Sequence, residues 1–296
     1  DWSSDVCSSD LKIGLIGPKL DLTYDYHHLS DSLDYLNKLS NNKSEFNKVL
    51  KSAKNPLIIL GTSAINNDHG KKILETAGLI AKKIQKNKNT NPLNILNQDI
   101  SRVGALDLKF YNKKFDNDYN KQLKKHIDKT KPVVFLMGLD EINFSTLENA
   151  FVVYLGHHGD VSASIADIIL PTPAYTEKSS TYMNIEGRVI QTTKCHNPIG
   201  EAKEEWKIFR VLSDLFEKNL NFNNLGELRT ELTSTYGQFA LLNEVNSIGE
   251  ITFAKNNKIE NIKIKYNIEN FYMNDSISRS SETMAKCTKD ILNKAA

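Results

Sequence analysis

The chain has no long apolar run. Its longest stretches, such as Pro56-Leu57-Ile58-Ile59-Leu60, have the length of a strand, so none reads as a membrane-spanning helix and any membrane association would pass through a partner. Cysteine is scarce: Cys7, Cys195 and Cys287 lie far apart, which suggests neither a disulfide framework nor a metal knuckle and suits a reducing compartment. No Cys-x-x-Cys occurs, and iron–sulfur clusters need thiolate ligands in sets, so no cluster is expected on this chain. An excess of one charge is also missing. With 38 basic and 36 acidic residues the formal net charge is +2, which makes no electrostatic case for nucleic acid or for an anionic membrane surface. Arginine is rare, at positions 102, 188, 210, 229 and 279, leaving 33 lysines among the 38 basic residues. Lysine and arginine both solvate a surface, so this bias points to an AT-rich genome, and a high GC content in the source DNA would rule that origin out.

What is present is ordinary for a soluble globular protein. The 296 residues are 40% hydrophobic and 25% charged, enough for one large domain or two of usual size. The first eleven residues, DWSSDVCSSDL, stand apart: they repeat Ser-Ser-Asp, contain no lysine and follow neither a helical nor a strand period. They also lack the basic start and apolar core of a signal peptide. They resemble the translation of a sequencing adapter, which implies that the native sequence starts near Lys12 and that its true N-terminus lies upstream.

From Lys12 onward, apolar runs alternate with amphipathic stretches. KIGLIG at 12–17 and PLIILG at 56–61 are short, β-branched and glycine-terminated, as buried parallel strands are. Between 68 and 86, Ile73, Leu74, Ala77, Ile80, Ala81 and Ile84 fall on one helical face with lysines opposite. A strand at 92–96, a helix through 100–106 and a solvated, lysine-rich helix within 109–131 follow. Strands are expected at 132–137, 151–155 and 165–170, the last stopped by Pro171 and Pro173. The helix at 204–218 would turn Trp206, Phe209, Leu212, Leu215 and Phe216 toward a core. Such alternation predicts an α/β fold with a doubly wound, mostly parallel sheet and helices on both faces. After about residue 220 the pattern becomes irregular, with a helix at 225–239, extended chain at 251–266 and a last short helix at 279–294. This segment is too poor in apolar residues to fold alone, so it should pack back on the α/β body or on another subunit.

Chemistry-bearing residues concentrate between 151 and 192. FVVYLGHHGD ends a strand in a glycine turn carrying His157, His158 and Asp160. Adjacent histidines project in different directions and no third ligand completes a metal set, so these side chains are expected to line a turn at the strand's carboxyl end. In TYMNIEGR, the glycine permits close backbone approach while Asn184, Glu186 and Arg188 could grip a polar, phosphate-bearing ligand. A buried Glu186 paired internally with Arg188, stapling the loop, is the plainer alternative. Cys195-His196 lacks an orienting carboxylate nearby and is read as incidental. Gly14 and Gly17 are followed by Pro18 and Lys19 rather than a helix start, so they form no phosphate-cradling fingerprint. No serine sits in a Gly-x-Ser-x-Gly elbow.

The segments GHHGD, ADIILP, AYTEKSSTYMNIEGR and EEWKIFRVLSDL resemble the largest iron–sulfur subunit (the G-type subunit) of respiratory NADH–quinone oxidoreductase, complex I. Upstream, IGPKLDLTYDYHHLSDS, LIILGTSA and ISRVGALDL are similar to the same family in the same order. Downstream, SISRSSETMAKC resembles its C-terminal tail, with Ser276 where the family pattern has proline. The resemblance implies a fold related to molybdopterin-dependent oxidoreductases. There Ala166, Asp167, Leu170, Pro171, Glu177, Thr181, Asn184, Glu186, Gly187 and Arg188 match the signature that borders the pterin pocket. In complex I subunits that pocket generally holds no molybdenum and the domain serves architecture.

The resemblance divides the chain into a non-native segment at 1–11, a molybdopterin oxidoreductase-like α/β domain at 12–220 and a complex I-type C-terminal segment at 221–296. It implies no catalytic residue, no bound metal and no cofactor here, with Thr181, Asn184, Glu186, Gly187 and Arg188 as a remnant pocket motif. The 2Fe–2S and 4Fe–4S clusters would belong to an N-terminal region of the full-length subunit. Partners would be the other peripheral-arm subunits, on the cytoplasmic face of the bacterial inner membrane or the matrix side in mitochondria, with no membrane insertion. Other readings are a working molybdopterin enzyme of the formate dehydrogenase type and a free-standing binding module.

Overall fold

The computed structural model describes residues 11–87, 90–97, 99–100, 102–110, 119–245, 258–264 and 270–292. Two compact units form, one from 1–102 with 247–267 and the other from 103–246 with 268–296. Both are discontinuous in sequence. The opening segment lies outside the described residues except for Leu11.

In the first unit, β1 (Gly14–Ile16) pairs in parallel with β2 (His27–Ser30). Two short helices follow, α1 (Tyr35–Ser40) and α2 (Phe46–Ser52). Then come β3 (Ile58–Gly61), α3 (Thr62–Ile65), the long α4 (Gly70–Ile84) and β4 (Leu93–Leu96), with β3 parallel to β4. The helix α4 organises the core. Ile73, Ala77, Ile80, Ala81 and Ile84 are buried with Leu36, Leu39, Leu60 and Leu93, while Lys71, Lys82 and Lys83 face solvent. Burying each of the isoleucines contributes about 1.5–3 kcal/mol. Glycine is required at the first position of α4, because a Cβ on Gly70 would lie 1.8 Å from the Ile65 carbonyl oxygen.

A stretch from late in the chain completes this unit. The Asn37 side chain donates to the Ile259 carbonyl (2.8 Å) and accepts from the Ile259 N–H (3.1 Å), pairing with the backbone as a neighbouring strand would. Ile259 is 1% exposed within the core, and Leu33 N–H donates to the Ile262 carbonyl (2.9 Å). The expected extended chain at 251–266 is thus seen at 258–264, packed back on the body, and its remainder lies outside the described residues.

The second unit contains α5 (Arg102–Asp107, from Val103 on), α6 (Tyr119–Thr130) and a three-stranded sheet of β5 (Val133–Met137), β6 (Phe151–Gly156) and β7 (Ile168–Pro171). The strands are parallel in the order β5-β6-β7, with a short helix α7 (Val161–Ser164) in the β6–β7 connection. The two faces of the sheet follow the strand period. Leu136, Val152 and Tyr154 face one core with Ile127 of α6 and Leu147. On the other face Phe135 meets Phe209 of α8 (Glu205–Leu215), ring centroids 5.6 Å apart. Helices therefore lie on both faces of this sheet, the parallel α/β character that the alternation predicts. Among the described residues the parallel pairing is divided among three small sheets, and the fourth is an antiparallel hairpin of β8 (Thr181–Met183) and β9 (Val189–Gln191). Among the described residues the remaining α-helices are α9 (Leu225–Thr235), α10 (Ser276–Arg279) and α11 (Glu282–Cys287).

Two expectations change in detail. On α8, Leu215 (74% exposed) and Phe216 (68%) face solvent, because Ser213 takes the inward position of the last turn and the chain departs at Glu217 with φ +55°. The helix at 119–130 is not wholly a solvated surface, since Ile127 anchors it in the core.

Candidate functional site

Parallel α/β sheets place ligand crevices beyond the carboxyl ends of their strands. At that edge Tyr154 is 1% exposed and donates its hydroxyl to Asp140 Oδ2 (3.2 Å). Its ring requires the glycine two residues on, since a Cβ on Gly156 would fall 2.2 Å from the Tyr154 oxygen. Burial first, and then the Asp140 charge, push the Tyr154 hydroxyl well above the ordinary tyrosine range. Asp140 Oδ1 accepts the Ser162 N–H (3.0 Å), and the Ser162 hydroxyl donates to the Leu139 carbonyl (2.5 Å). The loops after β5 and β6 are thereby joined.

The GHHGD turn lies at this edge, as expected, with Gly159 at φ +57°. Its histidines do not diverge: Nδ1 of His157 and Nδ1 of His158 are 2.5 Å apart, with the rings edge to face. The tight turn after β6 brings them together. Burial, followed by His158 and Lys178, holds His157 below the ordinary histidine value, so it is the neutral ring that the fold favours. Asp160 pairs with Arg279 Nε (2.5 Å), and Arg279 Nη2 reaches Glu141 Oε1 (2.8 Å). Among the described residues, no group of three or more His, Cys, Asp or Glu side chains could hold a metal ion.

The second cluster is the turn of the β8–β9 hairpin. Asn184 Oδ1 accepts the N–H groups of Glu186 (2.9 Å) and Arg188 (3.0 Å), and Gly187 at φ +80° closes the turn. Arg188 donates to the Asn243 carbonyl and lies 3.5 Å from Glu186. The internal Glu186–Arg188 pair therefore exists, but it is exposed rather than buried. Thr181 begins β8. Elsewhere in the signature, Asp167 accepts the Val152 N–H (2.7 Å), Glu177 accepts the Ala174 N–H (3.0 Å), Ala166 packs on the core, and Leu170 and Pro171 end β7. Cys195 is exposed, and His196 Nδ1 contacts the Asn197 carbonyl (2.6 Å).

Sequence reasoning missed Asp140, Glu141, Tyr154 and Arg279. Arg279 carried a signal in its rarity, and Tyr154 carried one in its spacing from Gly156. The acidic pair carried none.

With this geometry, a parallel α/β unit whose signature residues brace turns, comparison with known proteins is decisive for the class. Residues 4–215 match the molybdopterin oxidoreductase family model, and the chain belongs to that family. The match starts inside the opening segment read as foreign. Residues 244–287 match a second model, that of the C-terminal region of the G subunit of NADH-ubiquinone oxidoreductase. Among curated proteins, the chain is 38% identical over 282 residues to the NADH-ubiquinone oxidoreductase 75 kDa subunit of Reclinomonas americana, covering 92% of this chain and 40% of that protein. It is 35% identical over 285 residues to the G subunit of NADH-quinone oxidoreductase from Rickettsia bellii, covering 96% and 40%. To the mitochondrial 78 kDa subunit of Neurospora crassa it is 36% identical over 293 residues, covering 95% and 38%. The resemblance read from the motifs holds, and the chain spans about 40% of the length of these relatives.

The family implies a molybdopterin, a phosphate-bearing group that needs cations or N–H donors facing it. At the sheet edge Asp140, Glu141 and Asp160 would repel phosphate, and Arg279 is already engaged with two of them. In the hairpin, Arg188 and Asn184 are bound to the chain's own backbone. At these two places the described residues offer carboxylates and already engaged donors, which do not fit a phosphate-bearing cofactor.

Proposed function

We propose that this chain is the C-terminal scaffold part of the large iron–sulfur subunit of a proton-translocating NADH–quinone oxidoreductase and carries no redox centre itself. The observation that supports this best is the order of two matches along one chain, the molybdopterin oxidoreductase model at 4–215 and the C-terminal model of the G-type subunit at 244–287. A working molybdopterin enzyme accounts for the first match and gives no reason for the second. In this reading Thr181, Asn184, Glu186, Gly187 and Arg188 hold a turn instead of a cofactor. Electron transfer from NADH through 2Fe–2S and 4Fe–4S clusters to quinone belongs to other parts of the subunit and complex, and the neighbours are other peripheral-arm subunits. The location is peripheral, at the cytoplasmic face of the inner membrane or on the matrix side. Among the described residues, no helix is long and apolar enough to cross a membrane.

The test is elemental analysis of the pure chain made in a host that synthesises molybdopterin. Molybdenum and tungsten well below one equivalent, with no NADH oxidation, is the expected result. Stoichiometric molybdenum or tungsten would overturn the scaffold reading in favour of a formate dehydrogenase-like oxidoreductase. A second experiment replaces the matching segment of a bacterial G-type subunit with this chain and measures NADH–quinone reductase activity, which is expected to persist.

A further inference from the structure

We propose that residues 270–292 form a strap latched across the carboxyl edge of the β5-β6-β7 sheet by the Arg279 guanidinium, closing that edge from within the chain. The latch joins parts of the chain far apart in sequence. Arg279 Nε donates to Asp160 Oδ2 (2.5 Å) across 119 residues, and Nη2 donates to Glu141 Oε1 (2.8 Å) across 138. Asp160 sits in the turn after β6 and Glu141 in the loop after β5, so one planar fork holds both loops. An ammonium group cannot place two fixed N–H vectors in that way.

The strap is built to present this arginine. Asp275 caps α10, accepting from Ile277 N–H (2.9 Å) and Ser278 N–H (3.0 Å), while Ser278 Oγ reaches back to Asp275 N–H (3.1 Å). Asn270 Nδ2 donates to Thr288 Oγ1 (3.0 Å), tying the start of the strap to the residue after α11. Ser281 caps α11 by accepting from Met284 N–H (3.4 Å). The strap is therefore a short folded piece that docks or lifts as one. Asp160 is the better covered partner, with 11% of its side chain exposed against 58% for Glu141. The Asp160 bond carries most of the latch, because a charge-assisted bond weakens as water reaches it.

Hydrogen–deuterium exchange of the whole chain, read peptide by peptide, tests this. In Arg279→Gln, peptides from 270–292 should exchange on the order of tenfold faster, as expected for losing charge-assisted bonds, while peptides from β6 stay protected. Arg279→Lys should fall between, and Arg279→Gln with Asp160→Asn should add little to either change alone. Unchanged exchange of 270–292 in Arg279→Gln would overturn the latch. If that variant loses protection throughout the second unit, the exchanged pair Arg279→Asp with Asp160→Arg decides: restored protection supports the latch, and continued loss overturns it.

Discussion

Around α4 in the first unit, Ile73 and Ala77 are wholly shut from solvent, and the neighbours packed on them are almost all aliphatic. At the Tyr154 hydroxyl and the loops beyond it in the second unit, the polar groups that meet are a phenol, three carboxylates, a serine and a guanidinium, while the ring packs on Ile127, Leu136, Leu147 and Val152. The first arrangement depends on contact area and tolerates approximate directions. The second depends on direction, since each group must meet a particular atom, and a missing partner leaves a polar group stranded in a low-dielectric place. The contrast also gives the arginine scarcity a structural side that composition alone does not. At three of the five arginines, 188, 210 and 279, the guanidinium reaches two or more acceptors at once. At those three positions a fork is used as a lysine could not be.

The comparison breaks if the apolar core proves the weaker of the two. Ile73→Ala should destabilise by about 3 kcal/mol, because the surrounding core cannot fully collapse into the space left. A denaturation midpoint that hardly moves would show that the first unit does not rest on α4. Tyr154→Phe should cost less, about 1–2 kcal/mol, since Asp140 keeps its bond from Ser162 N–H. This variant also separates the regions by pH. The folded state holds Tyr154 above its ordinary value of 10.0, so its contribution is complete below pH 10 and is lost as pH rises beyond it. Stability measured against pH should fall more steeply above 10 in the parent than in the phenylalanine variant, and parallel curves would contradict the buried phenol.

A smaller effect is expected in the hairpin. Gly187→Ala should cost about 1 kcal/mol, entirely from the backbone, because φ is +80° and no heavy atom of the described residues beyond its chain neighbours lies within 4 Å of an added Cβ. A larger loss, visible in thermal melting, would mean that a neighbour depends on that surface. This turn was legible in the sequence because Asn, Glu and Gly at fixed offsets act on nearby backbone. The inward face of α4 was legible because periodicity is also local. Asp160 with Arg279, and Asn37 with Ile259, were not, since partners 119 and 222 residues apart leave no local pattern. The solvent-facing Leu215 and Phe216 were misread for a related reason: the exit at Glu217 sets their direction, and hydrophobicity does not report it.

The smallest effect should have the opposite sign. Among the described residues, Arg229 Nε and Nη2, on α9, are buried with no hydrogen-bond partner, unlike the engaged guanidiniums of Arg188, Arg210 and Arg279. A buried donor without an acceptor keeps its desolvation cost and gains nothing against it, so removing the polar atoms while keeping the aliphatic stem should help. Arg229→Met is therefore expected to raise stability by about 0.5–1 kcal/mol, where truncating any of the other three would lower it. Chemical denaturation of the four variants side by side would check this. A loss in Arg229→Met would mean that its guanidinium contributes to the folded state after all, and that the contrast between aliphatic and directional regions stops short of α9.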